Sequence, residues 1–190
     1  MIWNSGASAR QGDATVARTT KKLRIRDARA DDRDAIRDVT LSAYEEYAAQ
    51  MPPKHWQAYR QDILATLDQE GPAERIVAEQ DGTIVGSVLL YPAGTIIHRA
   101  DGTSVSRDSP EVRLLAVTPA ARGQGVGAAL IEECARRARR AGASILTLHT
   151  TDMMRVAVRM YERMGFVRAP ELDVSPAPGV IVKGYALSLD

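Results

Sequence analysis

The sequence predicts an α/β protein of one domain. Two observations predict this class. Short runs of branched apolar residues, typical of strands, alternate with longer segments whose apolar residues recur at the spacing of a helix face. The 190 residues are 45% hydrophobic and 26% charged, which is ordinary for a globular domain with its own core, and they contain no internal repeat.

Residues 1–22 differ in composition from the rest of the chain. Ser, Ala, Gly, Gln and Thr predominate there, and the segment lacks the apolar centre of a signal peptide. We expect a mobile tail or a misassigned start. The domain itself is therefore assigned to residues 23–190.

The domain begins with one predicted strand and two predicted helices. Residues 23–28 alternate like a strand, and the aspartates at 31–32 can cap a helix that runs to about Tyr47. The Met-Pro-Pro segment at 51–53 interrupts the helical pattern. A second helix is predicted over residues 55–68.

A hairpin and a long polar connection follow. Residues 75–79 and 83–91 read as two strands joined by the turn Asp81–Gly82. Residues 92–110 are predicted to form a polar connection, with a second turn at Asp101–Gly102.

The second half alternates strands and helices. Branched apolar runs predict strands over 112–117 and 144–150, and a last strand over 180–189. Amphipathic spacing predicts helices over 125–140 and 153–164. Gly142 stands where the first of these helices should stop.

A glycine-rich loop, Arg122–Gly127, lies between a predicted strand and a predicted helix. Its three glycines have no Cβ, so an anion can approach the backbone closely. The first N–H groups of the following helix lack partners and carry the positive end of the helix dipole. The arginine adds a full charge. The loop therefore predicts a phosphate or pyrophosphate site.

Two familiar nucleotide sites do not fit this loop. A P-loop needs a lysine after its last glycine, but Ala128 and Ala129 follow here. A dinucleotide site needs G-x-G-x-x-G and an acidic residue about 20 positions later. The glycines read G-x-G-x-G, and no acidic residue lies near Thr147.

The loop resembles the acyl-coenzyme A loop of the GCN5-related N-acetyltransferase (GNAT) superfamily, whose pattern is Gln/Arg-x-x-Gly-x-Gly/Ala. Arg122, Gly125 and Gly127 stand at its first, fourth and sixth positions. A second segment downstream resembles the motif A-x-x-x-Y-x-x-x-G-F of the same family. Its residues here are Ala157, Tyr161, Gly165 and Phe166.

The resemblance covers roughly residues 23–189. It implies a single-domain GNAT-like fold, with a mixed central sheet of about six to seven strands flanked by about four helices. It also implies an acetyl-CoA-dependent N-acetyltransferase that moves an acetyl group directly to a primary amine, without a metal. The alternatives are a non-catalytic acyl-CoA-binding sensor and an ATP-binding protein, the latter disfavoured by the missing loop lysine.

The resemblance also implies site residues. Tyr161 is the candidate acid that protonates the departing thiolate, and Glu111 is the candidate base for the amine. Each has a plainer interpretation, packing for Tyr161 and a solvent-facing glutamate for Glu111. Glu45 and Glu46 are alternative amine-binding residues. The candidate coenzyme-binding residues are Leu115, Ala116, Val117, Arg122, Gly123, Gln124, Gly125, Val126 and Gly127.

Three residues qualify this assignment. Met154 stands where the family commonly has an asparagine that contacts the coenzyme. Cys134, the single cysteine, lies on the apolar face of its predicted helix, where a thiol is usually inert packing. His149 ends a predicted strand, where a histidine is more often structural than functional.

The expected partner is a small-molecule or protein amine. The acceptor pocket is expected between Tyr44 and Tyr59, including Trp56, and in the 92–110 connection. A net charge of +1 and the absence of a long apolar run argue against nucleic acid and membrane partners. We expect a cytoplasmic protein, and a homodimer is compatible with the family.

Overall fold

The computed structural model describes residues 22–98, 104–177 and 180–190. The predicted tail, except Lys22, and the predicted turn at Asp101–Gly102 therefore lie outside the described residues.

The described residues form ten strands and four α-helices. In chain order they are β1 (Leu23–Asp27), α1 (Arg33–Tyr44), α2 (Pro53–Asp68), β2 (Glu74–Gln80), β3 (Thr83–Tyr91), β4 (Thr95–His98), β5 (Ser104–Arg107), β6 (Glu111–Val117), α3 (Val126–Arg140), β7 (Ile145–Thr150), α4 (Arg155–Arg163), β8 (Val167–Arg168), β9 (Val174–Ala177) and β10 (Val180–Ser188). Short 3₁₀ turns cover Ala30–Asp32, Glu45–Gln50, Pro119–Ala121 and Pro170–Leu172.

The predicted sheet is confirmed. Its strand order is β1-β2-β3-β6-β7-β10-β8, with β9 paired to β10. Every neighbouring pair is antiparallel except β6 and β7, which run parallel. The parallel pair is joined by α3, as a parallel connection requires a crossover.

Two boundaries differ from the sequence prediction in the first half. The α-helix ends at Tyr44 rather than near Tyr47, and the chain continues as a 3₁₀ turn to Gln50. Helix α2 begins at Pro53, because proline is tolerated at the first helical position, where its missing N–H has no partner to lose.

The connection over residues 92–110 is more regular than predicted. It contains strands β4 and β5, which pair with each other in a separate two-stranded sheet. The polar composition hid them, because a hairpin outside the main sheet needs no buried apolar face. The resemblance implies a further strand between α4 and the last strand, but the bounds of β8 and β9 were not predicted, since two to four residues are too few to show a period.

Two apolar clusters cover the two faces of the sheet. One packs α3 and α4 against the sheet through residues such as Leu130, Ile131 and Leu146. The other packs α1 and α2 against the opposite face through residues such as Val39 and Ile63. In the described part of the chain, no helix combines the length and apolar character needed to cross a bilayer.

Candidate active site

Strands β6 and β7 part in the middle of the sheet. Their parallel register covers only two pairs, Glu111 with Thr147 and Val112 with Leu148. Beyond Val112 the strands have no further paired residues, although β6 continues to Val117 and β7 to Thr150. The edge of β6 that faces β7 is therefore open just before the glycine loop.

An irregularity in β6 accompanies this opening. Leu114 has a φ of 50°, which is uncommon for a residue with a side chain. The pairing of β6 with β3 shifts register between Ser87 and Leu89 at the same level. A positive φ costs energy for a residue with a side chain. Such conformations persist where the surrounding structure enforces them, often at functional sites.

The irregularity changes which side chains face α1 and α2. Leu114 and Ala116 pack in the α1/α2 cluster, whereas Leu115 and Val117 pack in the α3/α4 cluster. Arg113 pairs with Leu89, which belongs to the α1/α2 cluster. Arg113 and Leu114 are thus consecutive residues on one side of the sheet.

The glycine loop leads directly into α3. Gly123 and Gly125 have φ values of 71° and 81°, which favour glycine, and a Cβ at either would meet no atom within 4 Å. The first internal bond of the helix runs from the Ala129 N–H to the Gly125 carbonyl. The N–H groups just before Ala129 therefore point out of the end of the helix, beside the open edge of β6.

The side chains of the loop point away from that helix end. The Arg122 guanidinium pairs with Glu46 at 2.6 Å and donates to the Ala43 carbonyl at 3.1 Å. Gln124 donates to the Ala120 carbonyl at 3.0 Å. Val126 is buried in the core. In this conformation the backbone of the loop, rather than its side chains, lines the predicted anion site.

Helix α3 packs closely on its neighbours at this end. A Cβ on Gly127 would lie 3.2 Å from Met160 Sδ and 3.7 Å from Val117 Cγ2. Glycine at this position therefore lets α3, α4 and the end of β6 approach one another.

Tyr161 lies on the α3/α4 side of the opening. Its side chain is buried, with its ring 5.7 Å from that of Phe166. Burial raises the pKa of the phenol, and the nearby Tyr47 adds to the rise. Because Tyr47 follows α1 on the other side of the sheet, the two phenols lie on either side of the opening. The Tyr161 hydroxyl has no hydrogen-bond partner among the described residues.

Glu111 is buried, so its interpretation as a solvent-facing glutamate is wrong. The side chain is 2% exposed. Arg107 Nε lies 2.7 Å from Glu111 Oε2, in an ion pair whose N–H is not aligned for a hydrogen bond. His149 Nδ1 lies 3.0 Å from Glu111 Oε1. The carboxyl group is thus held between an arginine and a histidine.

The contact of the other ring nitrogen shows that Nε2 of His149 carries a hydrogen. Nε2 lies 2.7 Å from the carbonyl oxygen of Leu172. Because a carbonyl can only accept, Nε2 carries a hydrogen. Nδ1 then either accepts a proton from a neutral Glu111 or donates one to an ionised Glu111. The 3.0 Å contact is a hydrogen bond in either case.

The predicted acceptor region forms an aromatic wall on the α1/α2 side of the sheet. The Tyr44 ring lies 6.1 Å from that of Tyr47 and 6.0 Å from that of Tyr59, and the Trp56 ring lies 6.3 Å from that of Tyr59. We call these four residues the aromatic wall. Tyr44 is buried and the other three are half-buried, so the wall packs against the α1/α2 cluster and is partly open to solvent. The predicted acceptor residue Glu46 is paired with Arg122 instead.

Unpaired polar atoms lie at the end of β7. The hydroxyls of Thr150 and Thr151 are buried and have no hydrogen-bond partner in the described residues. Buried hydroxyls without a partner are costly. They lie where β7 has parted from β6, and so they suit a polar ligand placed between the strands. Met154, at the start of α4, packs in the α1/α2 cluster.

Two other features do not belong to this site. Burial raises the pKa of the Cys134 thiol to about 12, which agrees with inert packing. A pocket of about 310 Å³ lies at the far end of α3, beside residues such as Asp108, Arg137 and Ser144. It is separated from the glycine loop by the length of the helix.

In the described ranges, no three His, Cys, Asp or Glu side chains converge as a metal site would require.

The sequence did not reveal the surroundings of Glu111. His149 was noted, but its contact with Glu111 depends on the parallel pairing of β6 and β7, which no local pattern shows. Arg113 was missed altogether. The available signal was its position two residues after Glu111 on the same strand, which places both side chains on one face.

Comparison with known proteins identifies the family to which this chain is similar. A profile described as the acetyltransferase (GNAT) family matches residues 40–166. A mycothiol acetyltransferase from Cellulomonas flavigena is 30% identical over 152 residues, which is 77% of this chain. The chain spans only 41% of that relative's own length.

Solved structures share the fold at low sequence identity. A GNAT-family acetyltransferase from Staphylococcus aureus Mu50 superposes with a TM-score of 0.67 at 15% identity, over 89% of this chain and 100% of that one. The PaiA N-acetyltransferase of Thermoplasma acidophilum, solved in complex with coenzyme A, gives 0.65 at 13% identity, over 88% and 99%.

Proposed function

Because the chain belongs to the acetyltransferase (GNAT) family, we propose that it transfers an acetyl group from acetyl-CoA directly to a primary amine. The observation that carries the proposal is the parting of β6 and β7 immediately before the glycine loop that opens α3. An open strand edge and a helix end side by side suit a long ligand with an amide-containing arm and a pyrophosphate.

Acetyl-CoA fits the chemistry of this cleft. The free N–H groups at the start of α3 would hold the pyrophosphate, with the Gly123 and Gly125 backbone exposed beside them. The open edge of β6 at Leu115–Val117 would pair with the amides of the pantetheine arm. The unpaired hydroxyls of Thr150 and Thr151 offer further hydrogen bonds from the facing strand.

Acetyl transfer needs a neutral amine, whereas a free amine is protonated near neutral pH. Glu111 would take the proton, directly or through a water, since a carboxylate in hydrogen-bond reach can act as a general base. His149 holds Glu111 Oε1, and Arg107 lies against Oε2. The orientation of the base is therefore fixed before the substrate arrives.

The departing thiolate needs a proton or a hydrogen bond. Tyr161 would supply it from the α4 side of the opening, because burial raises the pKa of its phenol and keeps it protonated. A hydroxyl without a protein partner can donate to a ligand at no cost to the fold. The thioester carbonyl would be polarised by backbone N–H groups of β6.

Thermal unfolding with acetyl-CoA, coenzyme A, ATP and NAD tests the proposal. A ligand at about 100 times its dissociation constant stabilises the native state by roughly 2.7 kcal/mol. We expect the two coenzyme A species alone to raise the melting temperature, and Gly125→Glu to abolish the effect. Gly142→Glu is the matched control, because Gly142 has the same φ of 81° and equally open surroundings at the far end of α3.

Release of coenzyme A thiol in the presence of an amine panel tests the transfer itself. Stabilisation by acetyl-CoA without transfer to any amine would favour the acyl-CoA-binding sensor. No shift with any coenzyme A species would contradict the proposed function.

A further inference from the structure

Arg113 differs from the other half-buried arginines of the described chain. Each of the others contacts a carboxylate or a backbone carbonyl, as follows: Arg26 with Asp32, Arg37 with Asp68, Arg75 with the Gln69 carbonyl, Arg107 with Glu111, Arg137 with Glu133, and Arg168 with Asp173. Within the described residues, Arg113 has no such partner. Among the described residues, a half-buried arginine without a carboxylate or carbonyl partner is unusual, because burying a charge is costly.

The guanidinium is held in place by aromatic rings instead. Arg113 Cζ lies 5.6 Å from the centre of the Tyr91 ring, within the range of a cation–π contact. Burial raises the pKa of Tyr44 and of Tyr59, and the charge of Arg113 opposes that rise in both. Arg113 therefore lies on the α1/α2 side of the sheet, over Tyr91 and near enough to Tyr44 and Tyr59 for its charge to act on them.

Arg113 and Glu111 share this face. They are paired with Leu89 and Tyr91, which both pack in the α1/α2 cluster. Two residues of a strand span about 7 Å. A positive group and the candidate base thus lie a short distance apart on the face of the sheet that the aromatic wall also covers.

The coenzyme does not account for this charge. Its phosphates belong at the loop after Val117, and four residues of strand separate Arg113 from Val117, or about 13 Å. The position of Arg113 is on the acceptor side of the cleft.

We propose that the acceptor is a small primary amine that also carries a carboxylate or phosphonate, and that Arg113 binds this oxyanion while Glu111 receives the amine. This inference rests on the proposed function. The planar guanidinium suits either oxyanion, because both can accept two parallel N–H bonds. The aromatic wall contacts the carbon chain between the two groups.

Matched acceptors test the proposal. Glycine and β-alanine are compared with glycinamide and β-alaninamide, which keep the shape but lose the charge, and with 2-aminoethylphosphonate and ethylenediamine. We expect wild-type kcat/KM to be at least tenfold higher for the anionic amines than for their neutral or cationic counterparts. A preference for the amides or the diamine would overturn the proposal.

Arg113→Gln tests the residue itself. A lost hydrogen bond to a charged group reduces kcat/KM about tenfold to a hundredfold, so the anionic preference should disappear in this variant. Arg113→Lys should retain part of it, because the charge stays and the fork is lost. Arg24→Gln, on the exposed side of β1, is the matched control. An unchanged ratio of anionic to neutral amines in Arg113→Gln would contradict the role of Arg113.

A binding experiment without turnover distinguishes failure of this inference from failure of the proposed function. Calorimetric titration of β-alanine into the protein with coenzyme A needs no turnover. Binding that Arg113→Gln abolishes, without transfer to any amine, would support the anion site and overturn the transferase. Transfer without an anionic preference would overturn the anion site alone. Neither binding nor transfer would overturn both.

Discussion

His149 Nδ1 lies 3.0 Å from Glu111 Oε1, while Nε2 of the same ring donates to the Leu172 carbonyl. The histidine therefore links the candidate base on β6 to the 3₁₀ turn at Pro170–Leu172. The Glu111 side chain is 2% exposed, and a buried carboxyl group without hydrogen-bond partners is costly. Rotamers that break the contact with His149 are therefore disfavoured. The contact gives the carboxyl group one orientation.

Removing the base should reduce turnover strongly. We expect Glu111→Gln to lower kcat/KM by about 10² to 10⁴, the usual contribution of a general base. His149→Gln should lower kcat less, since it acts by orienting Glu111.

The double variant separates the two roles. Residues that act as one unit are not additive, so Glu111→Gln with His149→Gln should be no slower than Glu111→Gln alone. Glu70→Gln, at an exposed position, is the control for loss of charge. Circular dichroism at the assay temperature checks that each variant is folded. If the losses in kcat/KM of the two single variants add up in the double variant, the two residues do not act as one unit.

Tyr161→Phe should affect the chemical step and little else. We expect kcat to fall about 10² to 10⁴-fold, with KM for acetyl-CoA and the melting temperature nearly unchanged, because the hydroxyl has no partner in the described residues to lose. Tyr185→Phe removes the hydroxyl of another buried tyrosine and should leave kcat unchanged. Burial raises the pKa of Tyr161, so wild-type kcat should not fall from its ionisation below pH 10. A variant as fast as wild type would show that the tyrosine only packs.

Glu133 should make stability depend on acid pH. Hydrogen bonds from Arg136 and Arg137 lower the pKa of Glu133 from 4.5 to about 2, against the opposing effect of burial. A lowered folded-state pKa contributes stability that is complete above the unfolded value and is lost as the pH falls toward the folded one. The contribution should therefore be present at pH 7 and disappear between about 4.5 and 2.

Urea unfolding at pH 7 and pH 3 measures this contribution. Glu133→Gln should reduce the free energy of unfolding more at pH 7 than at pH 3. The exposed neighbour Glu132 provides the control variant, Glu132→Gln, which should show no such difference. Equal losses for Glu133→Gln at both pH values would contradict the assignment.

Gly184 should not tolerate a side chain. A Cβ there would clash with Leu172 Cβ and lie 2.9 Å from the Ala169 carbonyl oxygen. Gly184→Ala must therefore displace the turn whose Leu172 carbonyl accepts from His149. We expect a loss of about 1–3 kcal/mol in the free energy of unfolding, as for other overpacked sites, together with reduced kcat.

Gly71→Ala is the matched substitution. A Cβ at Gly71 meets nothing within 4 Å, so its stability should change by less than about 0.5 kcal/mol, or rise slightly. Chemical denaturation of both variants measures the difference. Equal stability of the two would show that the turn yields easily.

The sequence by itself determined the order of the main strands and helices and the glycine loop. These depend on local signals, namely apolar periodicity, the Asp-Gly turn and the spacing of the loop glycines, whereas Tyr161 and Glu111 were named as candidates from the family resemblance. The tertiary structure decided what surrounds each side chain. The parting of β6 from β7, the irregularity at Leu114 and the burial of Glu111 all arise from pairing between distant segments.

The same limit applies to Arg113 and His149. Their residue types are visible in the chain, but a charge becomes significant only when its partners are known, and these lie on other strands and helices. Arg122 illustrates the converse, since its motif position predicted a phosphate contact and its guanidinium here pairs with Glu46. Sequence periodicity reports the face on which a residue lies, whereas packing decides what meets it there.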